Sequence, residues 1–174
     1  TLAGRNLVTV ADLDRAAQYN PSSISKNGYA YAIAAIPDAD HKAAAYKRIM
    51  EDSSLSNDAL TSTANGFLRG DVGLRTPYYK PFFDSLLSMW DTRSIGMATR
   101  IVRGLYPRSL YNYGSAEGTG VSDNPSVALA QEWLRKNPSA PSALRRLILE
   151  AQDNAHRNMI GQQFNSSLSC LLYT

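Results

Sequence analysis

Two histidines, His41 and His156, are the residues best suited to bind a metal ion or to exchange a proton near neutral pH. A helix can place two imidazoles on one zinc ion when they are spaced as His-x-x-x-His. The two histidines lie far apart in the sequence, so no such pair exists. The sequence therefore predicts no metal ligand, no catalytic residue and no bound cofactor in this chain. Both histidines are interpreted as residues on helix surfaces.

Two further segments suggest chemistry at first sight. Cys170 is the only cysteine, which excludes an intrachain disulfide, fits a reducing compartment and leaves a nucleophile with no histidine near it in sequence. The segment GSAEGTG at 114–120 has the glycines of a phosphate-binding loop. No strand is predicted before it and no Lys-Ser or Lys-Thr follows, so we predict a flexible loop there.

Charged side chains near the end of the chain have the spacing of ion pairs along a helix. Arg146 and Glu150 are four residues apart, as are Asp153 and Arg157. Pairs of this kind contribute a few tenths of a kcal/mol to helix stability. General acid–base catalysis by Glu150 or Asp153 would need a second positioned group, and the sequence offers none. We therefore predict that these four residues form structural ion pairs.

Aromatic residues permit two interpretations. Five of them, at helical spacing, could form a peptide-binding wall, but that spacing is more typical of a buried core: Tyr78, Tyr79, Phe82, Phe83 and Trp90. Three tyrosines in or beside the longest predicted loop are better candidates for contact with a peptide or another domain, since a loop buries rings less easily. These are Tyr106, Tyr111 and Tyr113.

Length and charge limit the classes of function. The 174 residues suffice for one domain with a core. A net charge of +3, from 18 basic and 15 acidic residues that do not cluster, is too small to indicate nucleic-acid binding. No apolar run approaches the ~18 residues of a membrane span, and no signal peptide is recognisable. We therefore expect a cytoplasmic protein with no membrane or nucleic-acid partner.

The elements that must position these residues are helices. Proline-marked turns separate about eight amphipathic segments, and strand patterns are nearly absent. Helix starts near positions 40 and 56 are followed by starts near 78 and 94, an offset of about 38 residues that is typical of helix-pair repeats. The prediction is an all-α fold of stacked antiparallel hairpins, a short HEAT-like α-solenoid or bowl. Residues 1–165 are assigned to one domain and 166–174 to an atypical tail.

Four stretches, in order, resemble the C-terminal domain of bacterial aminopeptidase N enzymes. They begin with an Ile-Pro-Asp-Ala turn and end with a pattern of Leu-Arg-Arg followed by Glu, Asp, Arg and Gln. The stretches are AAIPDADHKAAAYKRIMED (34–52), SLSNDALTSTANGFLRGD (54–71), PYYKPFFDSLLSMWDTRSIGMATRIVRGLYP (77–107) and WLRKNPSAPSALRRLILEAQDNAHRNMIGQQFN (133–165). The segment YPRSLYNYGSAEGTGVS and the tail after Asn165 depart from the family pattern.

The resemblance implies the function of a longer parent enzyme. Members of this family are zinc exopeptidases that remove N-terminal amino acids from peptides, and their zinc is held by His-Glu-x-x-His and a downstream Glu. None of these has a matching position here, so zinc belongs to the parent and the resemblance transfers no catalytic residue. It implies a non-catalytic domain that packs on the catalytic domain and helps to enclose the peptide chamber.

Two other hypotheses remain open from the sequence. The first is a free-standing helical-repeat scaffold that binds peptides or proteins, which an initiation codon just before Thr1 would favour. The second is a small helical enzyme with an unrecognised site, which would require titratable groups converging in a deep pocket. A domain separated from its parent would expose a surface that is normally covered, so oligomers of the isolated chain are also an expectation.

Overall fold

All the regular structure that the computed structural model describes is helical. It describes the backbone of residues 2–5, 7–19, 21–107 and 124–172, and the side chains of those residues as far as position 161. This part of the chain contains eight α-helices, as the sequence predicts, and no strand. They are α1 (Val10–Tyr19), α2 (Ser23–Ala35), α3 (Ala39–Glu51), α4 (Asn57–Phe67), α5 (Tyr79–Thr92), α6 (Ile95–Leu105), α7 (Pro125–Lys136) and α8 (Ser142–Leu172). Short 3-10 helices occupy Ala3–Arg5 and Thr76–Tyr78.

Side chains in the turns determine where several helices begin. At α1 the Thr9 N–H donates to Asp12 Oδ2 (2.9 Å) and the Asp12 N–H donates to Thr9 Oγ1 (3.2 Å), the reciprocal bonds of a capping box. Ser56 accepts from the Ala59 N–H at α4, and Asn124 accepts from the Ser126 N–H at α7. Each bond satisfies a backbone donor that the helix itself leaves without a partner.

Residues 1–105 form one compact unit. Within it α2, α4 and α6 lie side by side, although α3 and α5 separate them in the sequence. Glycines permit the close approach of these three helices. A methyl group on Gly66 would lie 2.2 Å from the Tyr31 carbonyl oxygen, and one on Gly104 would lie 2.8 Å from Ala64 Cβ. We call this contact region, lined by Ala34, Ala64, Gly66 and Gly104, the small-residue seam.

Larger apolar side chains from α3 to α6 complete the core of this unit. The most completely enclosed are Ile49, Leu60, Phe82, Leu86 and Ile101. Each comes from the apolar stripe of an amphipathic helix, and burying such side chains is the main favourable contribution to folding. On α3 the buried residues are Lys42, Ala45 and Ile49, whereas Ala43 and Ala44 are exposed.

Residues 106–174 form a second compact unit, in which α7 packs against α8. Val127, Ala130 and Trp133 of α7 are buried, as are Leu144 and Ile148 of α8. The sequence assigned 1–165 to one domain, whereas the structure divides the chain between Leu105 and Tyr106. Backbone helix continues in α8 through most of the segment interpreted as a tail. No helix in the described ranges has an apolar stretch long enough to cross a membrane.

Candidate functional site

Two positively charged side chains are buried inside the first unit, where α3 meets the ends of α2 and α4. Lys42 of α3 has no exposed surface (0%), and its Nζ donates to the carbonyl oxygens of Ala34 (2.7 Å) and Gly66 (3.3 Å). Both carbonyls belong to the last turn of a helix, where the helix dipole attracts a cation. The ammonium also lies 5.9 Å from the centre of the Phe67 ring. Lys42 therefore connects three helices through one charge.

Arg75 is the second buried cation, and it lacks the bonds that Lys42 makes. It precedes the 3-10 helix Thr76–Tyr78 and is only 2% exposed. Its Nε and Nη2 are buried and have no hydrogen-bond partner in the described part of the chain. The hydroxyl of Tyr79, in the first turn of α5, is likewise buried and unpaired there. We call Lys42, Arg75 and Tyr79 the buried cation cluster.

The pKa values of this cluster reflect burial of positive charge. Burial, assisted by the nearby positive charge of Arg75, lowers the pKa of Lys42 from its ordinary value to about 8. Burial also lowers the pKa of Arg75. For Tyr79, burial raises the pKa of the phenol, and the charge of Arg75 opposes that change. Arg75 therefore lies close enough to influence the ionisation of both Lys42 and Tyr79.

No carboxylate forms an ion pair with Lys42 or Arg75 among the described residues. The two acids whose charges act on these cations, Asp38 and Asp71, bond to other groups. Asp38 Oδ1 accepts the His41 N–H at the start of α3 (2.9 Å), and Asp71 Oδ1 accepts the Gly73 N–H (2.7 Å). Their charges only favour the protonated cations from a distance. The cluster thus carries two positive charges without a bonded counter-charge in this part of the chain.

Three aromatic rings, one each from α3, α4 and the short 3-10 helix, lie beside the cluster. The Tyr46 ring centre is 4.7 Å from that of Tyr78 and 6.1 Å from that of Phe67. Phe67 and Tyr78 meet edge to face at 5.5 Å. Of the five aromatics weighed as a peptide-binding wall, Tyr79, Phe82 and Phe83 are buried, which supports the core interpretation for them; Tyr78 and Trp90 are partly buried.

Of the three tyrosines predicted to contact a peptide or another domain, the structure describes Tyr106. Tyr106 is 2% exposed, and its hydroxyl donates to the Ser126 carbonyl oxygen (3.3 Å) inside the second unit. The assumption that its ring is hard to bury therefore fails for Tyr106. Tyr111 and Tyr113, together with GSAEGTG at 114–120, lie outside the described residues. Contact of the three tyrosines with a partner stays a prediction.

The charged residues of α8 are placed as two exposed pairs. Arg146 Nε lies 2.7 Å from Glu150 Oε1, and Arg157 Nη2 lies 2.5 Å from Asp153 Oδ2. All four side chains are substantially exposed to solvent, so the water around them screens the attraction. Among the residues whose side chains the structure describes, these pairs bring no second reactive group to Glu150 or Asp153.

The two histidines belong to different compact units of the chain. His41 Nδ1 contacts Asp38 Oδ2 at 2.5 Å in the first turn of α3, while His156 is exposed on α8. Within the described residues, no group of three or more His, Cys, Asp or Glu side chains could hold a metal ion. Cys170 lies in the helical backbone of α8, beyond the described side chains.

Sequence reasoning missed the buried cation cluster. Lys42 shares a helical face with Ala45 and Ile49, so its spacing does carry a signal for burial. That signal is weak because lysine is normally exposed and its long stem can reach solvent. Arg75 carries no such signal, since it lies outside any periodic segment.

Comparison with known proteins finds a similarity to an enzyme several times the length of this chain. No protein-family model matches the chain. Over 135 residues, 76% of its length, the chain is 30% identical to aminopeptidase N of Streptomyces lividans. The match covers 14% of that protein, so the chain spans about one seventh of the length of the relative. The similarity is distant, and it is compatible with a domain of such an enzyme.

Proposed function

We propose that this chain is a non-catalytic C-terminal domain of a zinc-dependent aminopeptidase, and that it helps to enclose the chamber in which the parent enzyme removes N-terminal amino acids from peptides. The observation that carries the proposal is the 30% identity to aminopeptidase N over 76% of this chain but only 14% of the relative. A match of these proportions is what one domain of a much longer enzyme would give.

The helix arrangement of the first unit supports this role. Helices α3 and α4 begin at Ala39 and Asn57, and α5 and α6 begin at Tyr79 and Ile95, about 40 residues later. Helices α2, α4 and α6 of this unit lie side by side, as expected where helix pairs stack into a HEAT-like array. A wall of stacked helix pairs offers a broad surface for enclosing a chamber, a task that depends on shape rather than on reactive groups.

The chemistry of the proposed parent belongs to another part of it. Zinc would activate water for attack on the peptide bond, and this chain would neither bind the metal nor transfer the proton. The partner of this chain would be the catalytic domain of the same polypeptide, with peptides as the enclosed substrate. Tyr111 and Tyr113 would contribute contacts to that partner or to the peptide. The single cysteine supports a cytoplasmic location.

The reading frame that encodes this chain provides the first test. We expect a continuous frame that contains His-Glu-x-x-His upstream of Thr1, with a further Glu downstream of that motif. A frame that starts directly at Thr1 would contradict the proposal and would favour a free-standing helical scaffold instead.

Substrate size provides a second test, with the complete gene product. We expect it to remove the first residue from a short peptide and to leave the same N-terminal sequence intact when a folded protein carries it, because a closed chamber admits only unfolded chains. A matched unfolded variant of that protein is the control. Equal cleavage of the folded and unfolded versions would contradict an enclosing role.

A further inference from the structure

We propose that Arg75, Tyr79 and Lys42 form an anion-binding site, and that its ligand is a carboxylate held by Arg75 through two parallel hydrogen bonds. The inference is independent of the proposed function, since it rests only on the groups inside the first unit. It concerns residues for which neither the family resemblance nor the similarity to aminopeptidase N provides a role.

The unpaired atoms of Arg75 have the geometry that a carboxylate requires. Nε and Nη2 are adjacent on one edge of the planar guanidinium, and their N–H bonds point in nearly the same direction. This edge matches the two oxygens of a carboxylate, the bidentate arrangement for which arginine is especially suited. The buried hydroxyl of Tyr79 supplies a third unpaired polar group. The charge of Arg75 acts on this phenol, so the two groups lie within electrostatic reach of each other.

The charge of the cluster favours an anion. Lys42 and Arg75 are both almost completely buried and have no ion-pair partner among the described residues. A buried charge without a counter-ion is costly because it has lost its hydration. Lys42 compensates through the carbonyls of Ala34 and Gly66, but the guanidinium edge of Arg75 has no comparable bonds. A carboxylate would supply both the missing bonds and the missing charge.

Access to the site requires a local opening. The residues just before Arg75 form a turn in which Arg69, Gly70, Asp71 and Gly73 are exposed. Gly70, three residues after the end of α4, has a positive φ of 82°, a conformation that glycine adopts readily. Such turns open at a lower free-energy cost than the helices that flank them. The carboxylate could come from a free small molecule or from an acidic side chain elsewhere in a longer parent chain, and both sources share the same chemistry.

Acetate provides the direct test with the 174-residue chain. Sodium acetate is compared with sodium chloride at equal ionic strength, while thermal unfolding and the ¹⁵N–¹H resonance of the Arg75 Nε group are followed. At ten times the dissociation constant, acetate should raise the folding equilibrium constant about tenfold and shift the Arg75 resonance. Chloride, which cannot accept two parallel bonds from one guanidinium edge in the same way, should do neither.

Variants of Arg75 distinguish bidentate hydrogen bonding of the carboxylate from attraction by positive charge alone. Arg75→Met should abolish the acetate effect and, without acetate, should be at least as stable as the original chain, because it removes an unpaired buried charge. Arg75→Lys keeps the charge but loses the planar edge, so it should also lose most of the effect. Arg100→Met, which removes an exposed arginine of α6, is the matched control and should respond to acetate like the original chain.

The outcome also identifies the source of the carboxylate. Stabilisation by acetate in both the 174-residue chain and the complete gene product would indicate a free ligand. Stabilisation only in the 174-residue chain would indicate that an acidic side chain fills the site in the longer protein. An unchanged Arg75 resonance, an equal response to chloride, or an undiminished acetate effect in Arg75→Met would each overturn the proposal.

Discussion

Gly66 belongs to two neighbouring regions that are stabilised in opposite ways. Its Cα faces the small-residue seam, where α2, α4 and α6 meet through alanines and glycines with no charge involved. Its carbonyl oxygen faces the buried cation cluster and accepts a bond from Lys42. The seam is complete as it stands, whereas the cluster leaves polar atoms of Arg75 and Tyr79 unpaired among the described residues. The seam therefore contributes to stability, whereas the unpaired atoms of the cluster are the groups that we propose to bind an anion.

The largest loss of stability is expected when a side chain is added at a glycine of the small-residue seam. Gly66→Ala would place a methyl group 2.2 Å from the Tyr31 carbonyl oxygen, and backbone on both sides leaves little room for adjustment. We expect a loss of about 3 kcal/mol in the free energy of unfolding, measured by urea denaturation. Gly28→Ala in α2, where nothing lies within 4 Å, is the control and should be stabilising by about 0.5–1 kcal/mol. Equal effects of the two substitutions on stability would contradict the close packing that defines the small-residue seam.

The second-largest effect on stability is expected from the charge of Lys42. Its pKa is lowered to about 8 in the folded protein from an ordinary value of 10.5, so between these values the unfolded chain binds more protons and stability must rise with pH. We expect a gain of about 2 kcal/mol between pH 7.5 and about 10. Above about pH 10 the curve should turn down, because burial raises the pKa of Tyr46 and Tyr79 and their ionisation then favours unfolding.

Lys42→Met isolates the contribution of this side chain. The rise in stability between about pH 8 and 10 should disappear in the variant, while the decline at higher pH should remain. Arg75 and Asp38 are the other charged groups that act on Lys42. A variant that retains the full rise would show that Lys42 is not the titrating group.

A smaller loss of stability is expected when a cation that bonds the carbonyl oxygens at the end of a helix is removed. Arg93 donates from Nη2 to the Met50 carbonyl (2.7 Å) and from Nη1 to the Asp52 carbonyl (3.1 Å), at the end of α3. Arg145 does the same for α7 through the carbonyls of Leu134 and Asn137. Arg93→Ala should cost about 1–2 kcal/mol, and Arg93→Lys less, in equilibrium unfolding. An Arg93→Ala variant with unchanged stability would contradict a capping role for this side chain.

The smallest effect is expected for the exposed ion pairs of α8. Removing Arg146, Glu150 or both should change stability by about 0.3–0.5 kcal/mol, and the double-mutant coupling should vanish in 1 M salt. Asp153 and Arg157 form the matched second pair. A coupling energy above about 1 kcal/mol would mean that solvent does not screen these charges as their exposure implies.

The seam and the cluster also differ in how far the sequence reveals them. Apolar periodicity and proline-marked turns predicted the helices, because local backbone preference and one-sided burial determine them. The buried environment of Lys42 and Arg75 depends on which carbonyls and rings three separate elements bring to them, which no local pattern encodes. Tyr106 shows the same limit, since its burial depends on packing with Ser126 twenty residues away. The boundary after Leu105 is likewise a property of long-range packing.

Activity and metal content, compared between the 174-residue chain and the complete gene product, test the account most directly. Both would be purified in the presence of zinc, then assayed for release of N-terminal amino acids from short peptides and for bound zinc. The account predicts stoichiometric zinc and peptide hydrolysis in the complete product, with neither in the 174-residue chain. Hydrolysis or tightly bound zinc in the 174-residue chain, or a complete product that lacks both, would contradict it.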